Sequence, residues 1–451
     1  MQQKILQAAW AIPVTSPPIK DASILIAGNR IKAIGQKSEI AHMADSNCVI
    51  HDYGQAIIVP GFINLHTHLE YTNLHYLSPE GGLFSWLPRL MAVTATWSDT
   101  DRLDSVARGI QEIAAAGTTL VIDNSYSGAS VKALAKSGLR AIVGLELFGV
   151  DASLSDKQWQ RWQQRLQNLW QEEGVKEAHR EGRLDLTVAP HAPYTVCPTL
   201  WYKAQHWAKT NKQMVLTHLA ESEAECRWFA RQNKDLTQFL IDAFSRLDPD
   251  FARTHEQKLA WKEGSKTPVQ HLYKYGLLDD NLLAGHAVHI NDQDLKLLKK
   301  QAASIAHCPR SNARLECGQA PLGKMIKSGI KMGLGTDSKA SNDDLDMLAE
   351  AQFALLWRKE YEPDLAMGPK DFIEHLTIKA ALCIGREREL GSLTPGKWAD
   401  LAIFTLPQTK MERQFSQDPY YILLQGKLKL QALFVGAAEV DSFQAAKMAP
   451  V

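Results

Sequence analysis

The feature that most constrains this sequence is a repeated alternation of short apolar runs of β character with longer amphipathic stretches. Eight runs can be counted: AIIVPGFINLH (56–66), TTLVIDNS (118–125), RAIVGLELFG (140–149), LDLTVAPHA (184–192), QMVLTHLAE (213–221), LLAGHAVH (282–289), ASIAHCPRS (303–311) and KMGLGTDS (331–338). Between them lie helix-like segments such as DRLDSVARGIQEIAAAG, which ends on Gly117 where a helix commonly stops. Eight parallel strands with intervening helices predict an α/β fold, a (β/α)8 barrel of the TIM type. Such barrels place their chemistry on the loops after the C-terminal strand ends, where the polar residues of these runs sit.

At 451 residues the chain exceeds the usual size of one compact domain. The start (ILQAAWAI, SILIAGNRIKAIG) and the tail (GSLTPGKWADLAIFTL, LKLQALFVGAAEV) both read as strands. Residues 1–55 and 392–451 are therefore expected to pair into a small composite β-sandwich domain, with the barrel spanning 56–391. Within 156–180, Trp159, Trp162, Leu166, Leu169 and Trp170 share roughly one helical face, which predicts an outer helix packed on the barrel or on a second subunit. Residues 222–281 hold more than one helix, which suggests a lid or an interface element beside the site.

Lysine plus arginine and aspartate plus glutamate number 50 each, without a long run of one sign, so the electrostatic footprint of a nucleic-acid binder is missing and a small-molecule substrate is expected. Six scattered cysteines without a CxxC pair fit neither a disulfide framework nor a zinc knuckle, and point to a reducing cytoplasm. With no signal-peptide pattern and no run of about 18 apolar residues, no membrane span is expected. A homo-oligomer such as a dimer stays open.

His66 and His68 close the first run as LHTH. Residues two apart on a strand face the same side, so both imidazoles can reach one ion, although two histidines so spaced also occur as ordinary partly buried side chains. His218, His286 and Asp337 occupy the ends of the fifth, sixth and eighth runs, and this convergence on one barrel mouth is what points to a metal. Three imidazoles and one carboxylate leave room for a water on one divalent ion, Zn2+ or Fe2+. Glu221, three residues after His218, is placed to shuttle protons, or alternatively to make a surface ion pair. Asp337 has a second reading as a helix cap, and His191 as a structural histidine bonded to backbone. The fourth run, TVAPHAPYT, holds no lysine that carboxylation could turn into a metal bridge, so a mononuclear site is expected.

Together PGFINLHTH, PHAPYTV, THLAES, GHAVH, HCPRSN, GTDSKASNDDLDMLAE and GSLTPGKWADLAIF resemble the amidohydrolase superfamily, in its branch of nucleobase and nucleoside deaminases and triazine chlorohydrolases. The resemblance covers nearly the whole chain. It implies metal ligands His66, His68, His218 and Asp337, Glu221 as proton shuttle, and His286 holding or polarising the attacking water. It also implies substrate-side or scaffold positions at His191, Ser311 and Asn312. In that scheme Asp337 takes a proton from the water, hydroxide attacks an amino-bearing ring carbon, and Glu221 protonates the ring nitrogen before ammonia leaves.

Chlorohydrolase relatives often lack one member of the acid or metal set, whereas Glu221, His286 and Asp337 are all present, which favours deamination over cleavage of another C–N or C–Cl bond. A non-catalytic scaffold relative would be expected to have lost ligands. Glu70 and TPVQHLYKYGLL look similar to aminodeoxyfutalosine deaminases, with Glu70 as a possible acceptor for ribose hydroxyls or a plain surface carboxylate. The segment LEYTNLHYLSPEGGLFSWLPRLM differs from the pattern typical of members acting on S-adenosylhomocysteine and methylthioadenosine. A cytidine-deaminase-like zinc site is rejected, because neither VCPTLW nor HCPRSN supplies its P-C-x-x-C.

Overall fold

The computed structural model of the chain describes residues 3–230, 235–245, 250–406, 418–425 and 428–440. Both chain ends meet in one sheet. It is built from β1 (Gln3–Ala11), β2 (Ile19–Ala27), β3 (Arg30–Gln36), β4 (Val49–Asp52) and β5 (Ala56–Pro60), joined by β14 (Leu401–Thr405), β15 (Lys429–Val435) and β16 (Ala438–Glu439). The strand order is β16-β15-β14-β5-β1-β2-β3, with β4 pairing parallel to β1. Period-two alternation sorts its side chains: Leu6, Ile24, Ile58, Leu401, Ile403 and Phe434 form a cluster of their own. Their neighbours Ile57, Val59, Ala402, Phe404, Leu433 and Val435 join the core of the barrel layer instead.

The remaining eight strands are the barrel: β6 (Phe62–Thr67), β7 (Thr118–Ser125), β8 (Arg140–Leu147), β9 (Leu184–Pro190), β10 (Val215–Leu219), β11 (Leu282–His286), β12 (Ser304–His307) and β13 (Lys331–Leu334). All neighbouring pairs run parallel in sequence order. Ile63, Leu65, Leu120, Ile122, Ile142, Leu216, Leu283 and Ala306 fill the interior, and Ala380 and Ala381 of the helix Ile378–Cys383 plug it. The seam between the last and first strands is bridged by Asp337 N–H donating to His66 O at 2.9 Å. Beside it the Asn64 amide donates to Thr336 Oγ1 at 2.8 Å and accepts from Thr336 N–H at 3.1 Å.

One expected strand divides. Residues 56–66 read as a single barrel strand, but Ala56–Pro60 pairs antiparallel with β14 in the terminal sheet, and the barrel begins at Phe62. The break is at Pro60, which has no N–H for a ladder, and Gly61, where a Cβ would lie 2.1 Å from the Thr119 side chain. The outer helix Ser155–Gln171 packs as its pattern predicts, with Trp162, Leu166 and Leu169 buried and the Trp162 indole donating to Leu145 O at 3.0 Å.

Residues 222–281 contain the helices Glu223–Phe229, Asp235–Phe244, Phe251–Lys258 and Pro268–Lys274, with 231–234 and 246–249 outside the described residues. Trp228, Phe229, Leu240 and Phe251 form an apolar cluster with Val150, Ala192 and Tyr194, so this insertion sits on the loop that follows β9. Among the described residues, no helix is long and apolar enough to cross a membrane.

Sheet and barrel are tied by Arg140 at the start of β8, which grips Asp400 through two bonds of 2.6 and 3.1 Å, both side chains being buried. Asp400 also accepts from Gly436 N–H at 2.7 Å. Removing one partner of a buried pair strands the other charge. Arg140→Met is therefore expected to lower stability by about 3–5 kcal/mol, and Arg140→Met/Asp400→Leu to recover much of it. Denaturant midpoints check this; an unchanged midpoint for the single variant would contradict it.

Candidate metal centre and active site

The pairing register of β6 slips where the histidines begin: Asn64 faces Val121 but Thr67 faces Asp123, so β6 uses one extra residue. Such a bulge re-aims side chains. Ile63 and Leu65 both point into the barrel, and His66 and His68 follow into the same interior, buried at its mouth. His218 in β10 and His286 at the end of β11 complete a ring of four imidazoles whose centroids lie 4.9–5.5 Å apart. Asp337 Oδ1 reaches in from beyond β13, 3.7 Å from Nε2 of both His66 and His68.

The turns that deliver these groups are strained. Ala220, His286, Ala287 and Asp337 have φ of +50°, +69°, +50° and +58°, in the left-handed region that non-glycine residues avoid. Surrounding bonds over-determine them. Asp337 accepts from Ser311 Oγ at 2.6 Å, Ser341 Oγ at 2.8 Å and Ser338 N–H at 2.7 Å. Glu221 N–H donates to Glu225 Oε2 at 3.0 Å, which pins the turn after Ala220. Under His66, Gly335 leaves room that a Cβ would close, 2.8 Å from both His66 N and His66 Cβ.

The ring nitrogens divide into spent and bare. His218 Nδ1 donates to His191 O at 2.8 Å and His286 Nδ1 donates to Asn312 Oδ1 at 2.8 Å, so each Nε2 carries a free lone pair. The Asn124 amide pairs with His66 Nδ1 at 3.0 Å. His66 Nε2, His68 Nδ1 and His286 Nε2 are buried without a hydrogen-bond partner, and His68 Nε2 stands 3.0 Å from His218 Nε2. Nitrogens sharing a tetrahedral zinc at about 2.0–2.1 Å stand roughly 3.3 Å apart, so the donor set fits one divalent cation. His66, His68 and His218 form one such cluster, and His66, His286 and Asp337 another.

Electrostatics agree with that fit. Burial first, then the neighbouring rings of His218 and His286, hold His66 well below the usual histidine range, so its ring stays neutral. His218 and His286 are lowered by burial as well. Burial works against ionised Asp337, but His286, His68 and the Ser311 hydroxyl outweigh it and keep the carboxyl below its ordinary range. Glu221 differs: burial pushes it up to about 7, against the pull of His218, and its Oε1 lies 3.7 Å from His286 Nε2.

Glu70, Ser311 and Asn312 each make bonds within the protein. Glu70 is fully buried, and its carboxylate accepts from Ser125 Oγ and from the N–H groups of Ser127 and Gly128, ahead of the helix Ala129–Lys136. Most of these bonds converge on Oε1, a carboxylate at a helix N-terminus being favoured there, while Oε2 accepts from Ser127 N–H alone. Ser311 and Asn312, likewise buried, serve as scaffold by holding Asp337 and His286. His191 is half-buried at the rim, its ring stacked on Phe148 at 4.7 Å and its Nδ1 3.0 Å from Thr195 Oγ1. Sequence reasoning missed Glu146, buried at the end of β8 with Oε1 3.7 Å from the bare His68 Nδ1. An acidic residue inside the apolar run RAIVGLELFG was the available signal.

Because the room under His66 exists only without a Cβ, Gly335→Ala is expected to displace the ring. Zinc titration should show binding at least about tenfold weaker; wild-type affinity would contradict this.

The chain is 27% identical over 415 residues to a protein of Symbiobacterium thermophilum named 5-methylthioadenosine/S-adenosylhomocysteine deaminase, covering 89% of this chain and 85% of that one. Its fold is similar to that of a zinc-bound adenosine deaminase from Xanthomonas campestris, with a TM-score of 0.81 at 21% identity over 99% of this chain and 97% of that one. It is similar also to a Helicobacter pylori aminofutalosine deaminase in complex with methylthio-coformycin, with a TM-score of 0.78 at 22% identity over 97% and 100% of the two chains. The model of the amidohydrolase family matches residues 57–437, from β5 through the barrel and back into the terminal sheet, and the chain belongs to that family.

Proposed function

We propose that this protein is a metal-dependent hydrolytic deaminase that removes the exocyclic amino group of an N-heterocycle in a nucleobase or nucleoside, with adenine nucleosides as the first substrates to test. The observation that carries this reading is the buried Glu221 carboxyl, which faces the cluster of imidazoles with Oε1 3.7 Å from His286 Nε2. Displacing ammonia from a ring carbon requires a proton on the ring nitrogen first and on the leaving amine afterwards. A carboxyl group poised near neutrality can give up and regain that proton, whereas one at the ordinary value is already ionised. The names of the relatives support the same class.

His66, His68, His218 and Asp337 would hold the cation, with zinc as the proposed metal. When bound, it supplies a Lewis acid that makes water nucleophilic near neutral pH. Asp337 Oδ1 accepts the proton of the attacking water, and the Ser311 and Ser341 hydroxyls on Oδ2 keep it aimed. His286, fixed by Asn312, orients that water through Nε2. Glu221 delivers a proton to the ring nitrogen. Phe148 and His191 form an aromatic rim against which a heterocycle would lie. The six free cysteines fit a reducing compartment, proposed as the cytoplasm.

An ammonia-release assay across adenosine, methylthioadenosine, S-adenosylhomocysteine, aminodeoxyfutalosine, guanine, cytosine and hydroxylated triazines tests the reading; release from none of them would refute it. Glu221→Gln is expected to lower kcat by about 10²–10⁴-fold with the metal retained. His218→Ala is expected to lose the metal, which elemental analysis checks.

A further inference from the structure

Glu350 lies on the helix Met347–Tyr361, outside the barrel, and is fully buried. Its two carboxylate oxygens reach two different turns. Oε2 accepts from Arg310 N–H at 3.3 Å, a first-turn amide of the short helix Pro309–Arg314 that has no intrahelical acceptor. Oε1 accepts from the Asn342 amide at 2.5 Å, and that same amide donates its second hydrogen to Thr336 O at 2.8 Å. Arg310 immediately precedes Ser311 and Asn312, which hold Asp337 and His286; Thr336 immediately precedes Asp337 itself.

We infer that Glu350 is a positioning residue that clasps the turns after β12 and β13 together and thereby sets the Asp337 carboxylate and the His286 anchor from behind. Asp337 sits in the left-handed region at φ +58°, and a residue so placed persists only where its neighbours over-determine it. The Arg310 guanidinium, bonded to Asp344 at 2.6 Å and 3.7 Å from Glu350, pulls against the burial that raises the Glu350 carboxyl to about 8. Both oxygens of Glu350 act as acceptors, so an amide in its place would set a donor against a donor at one of the two turns.

The inference rests on the reading of Asp337 as a metal ligand, and zinc binding by competition with a chromogenic chelator tests both separately. Glu350→Gln is expected to weaken zinc affinity by about 10–100-fold, and to lower kcat on any substrate the wild type deaminates with KM little changed. Asn342→Asp is expected to act similarly. In Glu350→Gln/Asn342→Asp, donor and acceptor exchange places across the pair while the bond to Thr336 O stays lost, and the combined loss should be several-fold smaller than the product of the two single losses. Wild-type affinity in Glu350→Gln, or single losses that simply multiply, would overturn the clasp. Should Glu350→Gln not fold, Asn342→Ala reads the same link from the other side and is expected to weaken zinc at least about tenfold. A wild-type chain that binds no zinc would refute the metal reading instead.

Discussion

The structure is organised around an electrostatic demand: four imidazoles and two carboxyl groups, Asp337 and Glu221, are buried together at the barrel mouth. Taking such groups out of water costs several kcal/mol per charge unless partners compensate, and His66 Nε2, His68 Nδ1 and His286 Nε2 are buried with no hydrogen-bond partner. A divalent cation among them, as proposed, would answer that demand. The local irregularities serve the same end. The bulge in β6, the left-handed residues at the ends of β10, β11 and β13, and the glycine beneath His66 are all unfavourable in isolation, and each aims a donor at the common centre.

A second tier of buried carboxylates, Glu70, Glu225 and Glu350, supports the first. Each accepts a backbone N–H of a turn next to the site. This division of labour explains why so much acid is buried near a site that needs one proton shuttle. Glu221 has His286 and the site interior before it, whereas its neighbour Glu225 turns Oε2 to the Glu221 amide.

The residues legible in the sequence were those whose role follows from position along a strand. His218 and His286 could be placed because a strand end in a barrel is a known location, and alternation sorts inside from outside. The break at Gly61 was not legible, since IIVPGFINL stays apolar on both sides and only the Thr119 contact reveals the bend. The burial of Glu70 was not legible because exposure cannot be inferred from adjacency to a metal motif; its partners lie some 55 residues away in sequence. Ser311 and Asn312 left two readings open, and choosing between them required knowing where their hydrogen bonds end. Glu350 resembled any helix-borne glutamate, and only three-dimensional proximity to Arg310 and Asn342 gives it a task.

The seam of the barrel has a consequence for how such a chain comes to life. The bond that closes first strand to last, Asp337 N–H to His66 O, joins the same two residues that face each other across the metal cluster. The contact that closes the shape thus also joins two of the groups that would hold the cation. Only when the hoop closes does a collection of histidines become an enzyme.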